Sequence, residues 1–389
     1  MRLHVDRRHA RVLELLRERG TIRVADLARE LGVSPVTLRR DVEALASQGR
    51  LLRLHGAVVW PGDTVAGPPE RGELAAEVGR APSGLVVGMV VPTTEYYYAE
   101  VVRGAREAVE AAGARLVVAL SRYLPGEDTA QVERLLAGGV DGLLLTPSWE
   151  TGVPGPGEGL RIAERAVPTV LVERSAPHGH PAAALDRVRS DHAHGAAVAV
   201  RHLAGLGHRG VALAAQDSPT SAQLRRGHEA AVEALGLDPA PEPSPHPAGT
   251  TEADRFERTF AHLREAVEDH GVTAAILHSD ADAIVLVPRL RAHGIRVPED
   301  LAVITYDDEV AALADLPLTA VAPAKRTVGH RAATLLLTRL TPGTPPEPAQ
   351  HLDILPQLRI RRSCGAQSAE AARREWSTPP TTAEPSPSA

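Results

Sequence analysis

The distribution of apolar and polar positions divides the chain into four zones. Residues 1–60 contain short helical periods rich in Arg and Leu, whereas residues 61–83 carry Pro, Gly and charge without a period. Residues 84–362 alternate short β-branched runs with longer amphipathic stretches, and residues 365–389 end in a polar Pro/Ser/Thr run. The pattern predicts two folded regions, joined by a linker at 61–83 and followed by a disordered tail at 365–389.

The third zone repeats a strand pattern followed by a helix pattern. Helices such as Ala99–Ala112 and Ala222–Leu235 separate strands, an order typical of parallel α/β sheets. Nearly continuous apolar runs such as LVVGMVV indicate strands that are covered on both faces. The predicted strands are Leu85–Val91, Arg115–Ala119, Gly142–Leu145, Thr169–Val172, Val211–Ala214, Ala274–Leu277 and Leu301–Thr305.

The first zone has the pattern of a winged helix-turn-helix. A helix over 8–20 and a short helix over Val24–Leu31 precede a third, which Ser34 can cap and Pro35 can begin. Val42 and Leu45 are predicted to lie on the inner face of that third helix. The following RLLRLHGAVVW predicts two short strands that turn near His55 and Gly56 and form the wing.

Charge and hydrogen-bonding chemistry at this end suit duplex DNA. Residues 1–60 hold twelve Arg and seven Asp or Glu, a local +5 against −11 for the rest of the chain. A helix fits the major groove with its first turn against base edges, and a wing can follow the backbone. The alternative is that each Arg lies on an ordinary solvated helix face. The candidate DNA contacts are Ser34, Thr37, Arg39, Arg40, Arg53 and His55.

Residues 7–57 closely resemble the DeoR-type winged-helix regulators. The resemblance rests on the S-x-x-T-x-R-R-D run from Ser34 to Asp41 and on the L-x-R-x-H-G wing that ends at Gly56. It implies that the helix with Thr37 reads DNA. Ala57 stands where a second glycine is common.

The third zone resembles the effector-binding domain of LacI/GalR-type repressors, itself similar to periplasmic sugar-binding proteins. The segments GGVDGLLLTPS, SDHAHGAAVAVRHLAGLGHRGVAL and IRVPEDLAVITYDDE carry the resemblance. It implies an α/β, two-lobed parallel sensor domain over 84–364, with ligand in the cleft at the carboxyl ends of the strands. The first lobe is expected to use about 84–186 and 319–340, and the second about 187–318 and 341–364.

The resemblance also implies effector contacts at strand ends. Tyr97 is expected to stack on a sugar ring and Asp307 to bind its hydroxyls, while Asp280 can equally cap the helix that follows it. Leu224 stands where the family often carries Arg, so either Arg225 compensates or the ligand lacks the group that Arg binds. The expected effector contacts are Thr93, Tyr97, Glu173, Arg225, Ser279, Asp280 and Asp307.

Other classes of protein find little support in the sequence. Cys364 is the only cysteine and can form no internal disulfide, the first thirty residues lack a signal-peptide pattern, and no apolar run is long enough to span a membrane. No nucleophile elbow or phosphate loop indicates an enzyme, and the pairs His178/His180 and His192/His194 lack partners for a metal site.

We therefore expect a cytoplasmic transcriptional regulator that binds operator DNA and a small effector. It is expected to be a homodimer without cofactor or metal, and to act as a repressor of a carbohydrate-uptake or catabolic operon. A nucleoside or another metabolite is the alternative effector. A solute-binding protein is the rival class, but it predicts a signal peptide and no basic amino-terminal module.

Overall fold

The computed structural model describes residues 84–124, 126–155, 157–158, 167–215, 218–241, 251–343, 345 and 347–366, together with scattered positions between 9 and 59. The chain divides into two compact units, Met1–Gly79 and Arg80–Ala389. No helix among the described residues is both long and apolar enough to cross a membrane.

The amino-terminal unit contains a small antiparallel sheet. Its strands are β1 (Thr21–Arg23), β2 (Leu52–Leu54) and β3 (Ala57–Val59), in the order β1-β3-β2. The hairpin of β2 and β3, in which Leu54 pairs with Ala57, is the predicted wing, whereas β1 was not predicted. Val42 and Leu45 are completely buried, as predicted, and the other described core side chains here are Val12, Leu13, Leu15 and Leu27.

The predicted DNA-reading residues can be located only in part. Arg53 lies in β2, paired with Val58 across the hairpin. The remaining candidates lie outside the described residues: Ser34, Thr37, Arg39, Arg40 and His55.

The first lobe of the second unit is built on a six-stranded parallel sheet of order β13-β8-β7-β6-β4-β5. The flanking helices are α1 (Tyr97–Ala111), α2 (Glu127–Ala137) and α7 (Lys325–Leu340). The strands are β4 (Val86–Val91), β5 (Arg115–Leu120), β6 (Gly142–Leu145), β7 (Thr169–Val172), β8 (Asp186–Ser190) and β13 (His351–Ile354).

The second lobe is built on a five-stranded sheet of order β14-β12-β11-β10-β9, parallel except for the β12–β14 pair. Its strands are β9 (Ala212–Ala215), β10 (Ala274–His278), β11 (Ala302–Tyr306), β12 (Thr319–Ala322) and β14 (Gln357–Arg359). Its helices are α3 (His192–Gly205), α4 (Ser221–Leu235), α5 (Glu252–Glu268) and α6 (Asp280–Ala292). The seven predicted strands are all present, with ends shifted by one residue at most.

The lobe limits differ from the expected ones. Strands β8 and β13 belong to the first sheet and β12 to the second, so the chain crosses after β8, after β12 and after β13. The limits differ because β8 and β13 pair with each other in the first sheet, whereas β12 pairs with β11 in the second. The expected tail also begins too early, because Ala366 still packs against the core of the second lobe.

Two glycines let helices α1 and α7 approach each other closely on the first lobe. A Cβ on Gly104 of α1 would lie 1.9 Å from the carbonyl oxygen of Arg326 in α7, and one on Gly329 of α7 would lie 1.8 Å from that of Val101. Helix α7, which enters from the second lobe, is thereby held tightly against α1. Its first residue, Lys325, is fixed at the junction of the lobes.

Candidate functional site

The carboxyl ends of the strands from both lobes face a common cleft. The Tyr96 hydroxyl after β4 donates to the Asp280 carboxylate after β10. On the same side, a Cβ on Gly152 of the first lobe would lie 2.6 Å from the carbonyl oxygen of Pro219 in the second. These contacts bring the two sets of strand ends together, where ligands of open α/β sheets bind.

Asp307 lies at the end of β11 and is 4% exposed. Its φ of 71° is in the left-handed region, which non-glycine residues rarely adopt outside functional sites. Among the described residues, its Oδ1 has no hydrogen-bond partner. Burial raises the pKa of Asp307, and the neighbouring charges of Lys325 and His192 oppose that rise only in part. A buried carboxylate oxygen without a partner is costly, and a ligand hydroxyl would satisfy it.

Lys325 is the only lysine of the chain, and the sequence analysis did not identify it as a site residue. It is 5% exposed, with Nζ 3.8 Å from Asp307 Oδ1 and 2.5 Å from Glu309 Oε1. Nζ also lies 4.9 Å from the centre of the Tyr97 ring, within range of a cation–π contact. Only the crossover from β12 to α7 places this residue in the cleft, so no local motif indicated it.

Glu173 lies at the end of β7 and holds a hydrogen-bonded network on the first lobe. Its carboxylate accepts hydrogen bonds from the Tyr97 hydroxyl at 2.6 Å, the Ser190 hydroxyl at 2.9 Å and the Ser190 backbone N–H at 2.9 Å. Burial acts to raise the pKa of Glu173, but His192, Tyr97 and Ser190 outweigh it, and the net pKa is lowered. Glu173 is therefore an ionised anchor for Tyr97.

The Tyr97 ring is part of the wall of the cleft and is held by its neighbours, so it is not a freely exposed ring. Its hydroxyl is bound by Glu173, and its ring lies beside Lys325 and makes an edge contact with Tyr98, at 5.4 Å between ring centres. Tyr98 is buried in the core of the first lobe, as expected for a packing residue. The stacking role of Tyr97 stays a prediction.

Asp280 and Ser279 have structural partners at the start of α6. Ser279 is the N-cap and shares a capping box with Asp282. Asp280 Oδ2 accepts the backbone N–H groups of Glu309, Val310 and Ala311 at 2.6–2.9 Å. The Asp280 carboxylate therefore anchors the loop after β11 through backbone hydrogen bonds. It does not cap α6, the helix that it begins.

Thr93 and Arg225 complete the expected set. Thr93 Oγ1 accepts the backbone N–H of Glu95 at 3.1 Å, and Arg225 donates to the Ala215 carbonyl at 3.3 Å. Leu224 is completely buried in the core of the second lobe, so its side chain points away from the cleft. Arg225 instead lines a cavity between the lobes, of about 630 Å³. The residues that line this cavity are Tyr123, Ser148, Trp149, Glu150, Thr151, Glu158, Ser218, Pro219, Ser221, Ala222 and Arg225.

Three further strand ends carry buried polar atoms that the sequence analysis did not single out. Thr146 Oγ1 after β6, Arg174 Nη2 after β7 and His278 Nδ1 at the end of β10 have no partner among the described residues. Arg174 is held by Pro147 and Tyr98 through its other nitrogens. These atoms offer a hydroxyl, a guanidinium donor and an imidazole at the strand ends, which suits a polyhydroxylated ligand, and His278 Nε2 lies 4.0 Å from Asp307 Oδ2. No group of three or more metal-ligating side chains occurs within the described ranges.

Family models match both parts of the chain. Residues 8–63 match a DeoR-like helix-turn-helix domain, and residues 200–364 match a periplasmic binding protein-like domain.

Individual regulators align over most of the chain. The HTH-type transcriptional regulator CelR of Thermobifida fusca is 32% identical over 274 residues, which cover 69% of this chain and 76% of that protein. The arabinose metabolism transcriptional repressor of Halalkalibacterium halodurans is 24% identical over 320 residues, 80% of this chain and 81% of the repressor. The ribose operon repressor of Escherichia coli K12 is 29% identical over 305 residues, with 74% and 87% covered.

Solved structures share the fold. A complex of the transcriptional regulator CelR with cellobiose superposes with a TM-score of 0.58 at 26% identity, over 85% of this chain and 91% of that chain. A LacI family regulator from Silicibacter pomeroyi gives a TM-score of 0.57 at 20% identity, over 72% and 99% of the two chains.

Proposed function

Because the chain belongs to the helix-turn-helix transcriptional regulators that carry a LacI-type effector domain, we propose that it is a repressor of a carbohydrate operon. In this proposal a sugar binds between the lobes and changes the affinity of the amino-terminal unit for operator DNA. We also propose that the protein works in the cytoplasm, because operator DNA is its proposed target.

The observation that carries the effector site is the unsatisfied carboxylate of Asp307. Its Oδ1 is buried without a hydrogen bond, and Lys325 Nζ lies 3.8 Å away, beyond hydrogen-bond reach. Two neighbouring hydroxyls of a sugar can donate to the carboxylate and accept from the ammonium group at once. Asp307 and Lys325 are thus suited to hold a vicinal diol.

The DNA-reading role belongs to the amino-terminal unit. The helix predicted from the sequence to follow Ser34 would lie in the major groove and the β2–β3 hairpin against the backbone, as winged helices dock. The residues we assign to DNA contacts are Ser34, Thr37, Arg39, Arg40, Arg53 and His55. The proposal includes a DNA-binding domain at 1–60, a linker at 61–83 and a sensor domain that begins at residue 84.

We also propose that the regulator is a dimer, because two reading heads on paired half-sites multiply a modest single-head affinity. The second lobe offers a surface for a second copy. Leu313 is 77% exposed and Val285 of α6 is 54% exposed, and beside them Ile284, Pro288 and Leu316 line a shallow groove. Such a cluster of exposed apolar side chains is typical of protein interfaces.

A thermal-shift screen of the full chain against sugars, sugar phosphates and nucleosides tests the sensor. At least one sugar should raise the melting temperature, and Asp307→Asn should abolish that rise, because the amide cannot accept both hydrogen bonds as a carboxylate does. Asp308→Asn is the matched control, since Asp308 is bound by Arg361 at 2.7 Å and should leave the response intact. A full response of Asp307→Asn would contradict the proposed site, and a response to nucleosides alone would replace the sugar.

A further inference from the structure

The cavity between the lobes is larger than one sugar ring requires. Its volume of about 630 Å³ lies within the range of roughly 300–1,000 Å³ that pockets for drug-sized ligands occupy. A monosaccharide is much smaller than such a ligand. The cavity is lined by both lobes, through the segment after β6 in the first and the start of α4 in the second.

Tyr123 gives this cavity an aromatic surface. It follows β5 and is 50% exposed, although large aromatic rings are usually buried. Tyr123 and the preceding Arg122 have φ values of 56° and 55°, a left-handed pair that is costly for residues with side chains. Strained backbone that displays a ring into a cavity is typical of a ligand-binding feature.

The remaining wall supplies polar groups around that ring. Hydroxyl side chains line it from both lobes, Ser148 and Thr151 from the first and Ser218 and Ser221 from the second, and Arg225 adds a guanidinium group. An aromatic face surrounded by hydroxyls and a charge matches the apolar C–H face and the polar rim of a sugar ring.

The cavity also adjoins buried atoms that have no partner in the described parts of the chain. The Arg174 side chain, 3% exposed, donates from Nε to the carbonyl of Pro147, directly before the lining residue Ser148, and leaves Nη2 unbound. At the other side, Arg225 donates to the carbonyl of Ala215, which pairs with His278 on the neighbouring strand. The Nδ1 of His278 is unbound, and its Nε2 lies 4.0 Å from Asp307 Oδ2. The deep group around Asp307 and the outer wall are therefore neighbours.

We propose that the effector is an oligosaccharide of at least two rings, one held at Asp307 and the next stacked on Tyr123. The inference rests on the proposed sensor function and names the class of its ligand. It assigns Tyr123 as a residue that determines specificity for ligand length.

Isothermal titration calorimetry of the full chain tests the inference with matched pairs of probes: glucose with cellobiose, glucose with maltose, xylose with xylobiose, and arabinose with arabinobiose. At least one disaccharide should bind about ten-fold or more tightly than its monosaccharide, a difference of about 1.4 kcal/mol. Tyr123→Ala should remove that preference and leave the Kd of the monosaccharide within about two-fold. Tyr123→Phe keeps the ring and should keep the preference.

The outcomes separate the two proposals. Equal affinities within every pair, or a preference that survives Tyr123→Ala, would overturn the two-ring effector and leave the sensor standing. Absence of binding by all of these sugars would overturn both. Because Tyr123 is half-exposed, we expect the melting temperature of the unliganded Tyr123→Ala protein to stay near that of the parent, which shows that the variant is folded.

Discussion

Lys325 Nζ lies 3.8 Å from Asp307 Oδ1, and this pair joins the first residue of α7 to the residue that directly follows β11. Both side chains are 5% exposed, so neither charge is screened by water. The pair links the helix packed on the first lobe to the sheet of the second lobe. A ligand that binds Asp307 is therefore also close to Lys325, the residue that links the two lobes.

Removing this ammonium group should destabilise the protein. Lys325→Met keeps most of the side-chain volume but leaves the buried Asp307 carboxylate without its nearest cation, at a cost of about 3 kcal/mol. Because Lys325 lowers the pKa of Asp307, the same change should raise that pKa further. Urea unfolding at pH 7 of both single variants and of Lys325→Met/Asp307→Asn would give the coupling energy, expected at about 1–3 kcal/mol. A coupling near zero would contradict the pairing.

His278 should make the stability fall in mild acid. Burial, assisted by the charge of His192, lowers the pKa of His278 to about 4, whereas the unfolded chain binds that proton near 6.5. Between these values the unfolded state binds more protons, so stability is full above pH 6.5 and is lost as the pH falls toward 4. The His278 contribution should decrease by about 2 kcal/mol from pH 7 to pH 5.

Chemical unfolding of the parent protein and of His278→Gln at both pH values measures this difference. The raised pKa of Asp307 acts in the opposite direction, and it is present in both proteins, so it largely cancels in the comparison. Identical pH dependence of the two proteins would show that His278 is not held neutral by burial.

The contact between α1 and α7 should not tolerate a methyl group. Gly104→Ala places its Cβ 1.9 Å from the Arg326 carbonyl oxygen, so the helices must separate, at a cost of about 2–3 kcal/mol. Gly205→Ala at the end of α3 is the control, because nothing lies within 4 Å of its Cβ, and it should be neutral or stabilising by up to about 1 kcal/mol. Thermal melting compares the two, and equal melting temperatures would refute the close approach.

The exposed apolar groove of the second lobe should form the interface of the proposed dimer. Leu313→Asp introduces a charge where Leu313 is 77% exposed, so it should leave the monomer folded and weaken self-association by about ten-fold or more. Leu235→Asp at the end of α4 is the control, with a leucine that is 43% exposed elsewhere on the lobe. Sedimentation equilibrium measures both, and a Leu313→Asp dimer as tight as the parent would place the interface elsewhere.

Much of the sensor fold follows from local sequence pattern. The strand Val86–Val91 is a continuous apolar run, and periodicity alone indicates α1 and α4. Asp186–Ser190 was missed because DRVRS carries three charged residues, although it lies inside a parallel sheet between β7 and β13. Thr319–Ala322 was missed because two of its four residues are alanine, which favours strands less than β-branched residues do.

Asp307 and Glu173 could be proposed as site residues from the sequence because each directly follows a recognisable strand. Lys325 and Arg174 were missed for another reason. Lys325 contacts the Tyr97 ring, more than 200 residues earlier, as well as Glu309, 16 residues earlier, and Arg174 binds Tyr98, 76 residues earlier. The crossover from β12 to α7 brings Lys325 to Tyr97, whereas the packing of the first lobe brings the end of β7, with Arg174, to α1, with Tyr98. Local pattern predicts neither contact.

The most direct test of the account is the affinity of the full chain for duplex DNA with and without its sugar. A duplex selected from a random pool, labelled for fluorescence anisotropy, should bind tightly at low salt, and a saturating sugar that raises the melting temperature should change its Kd about ten-fold or more, which corresponds to about 1.4 kcal/mol of coupling. Arg39→Ala/Arg40→Ala should abolish binding with the sensor still responsive to sugar. A Kd for DNA that the sugar leaves unchanged, or no selected duplex at all, would contradict the account.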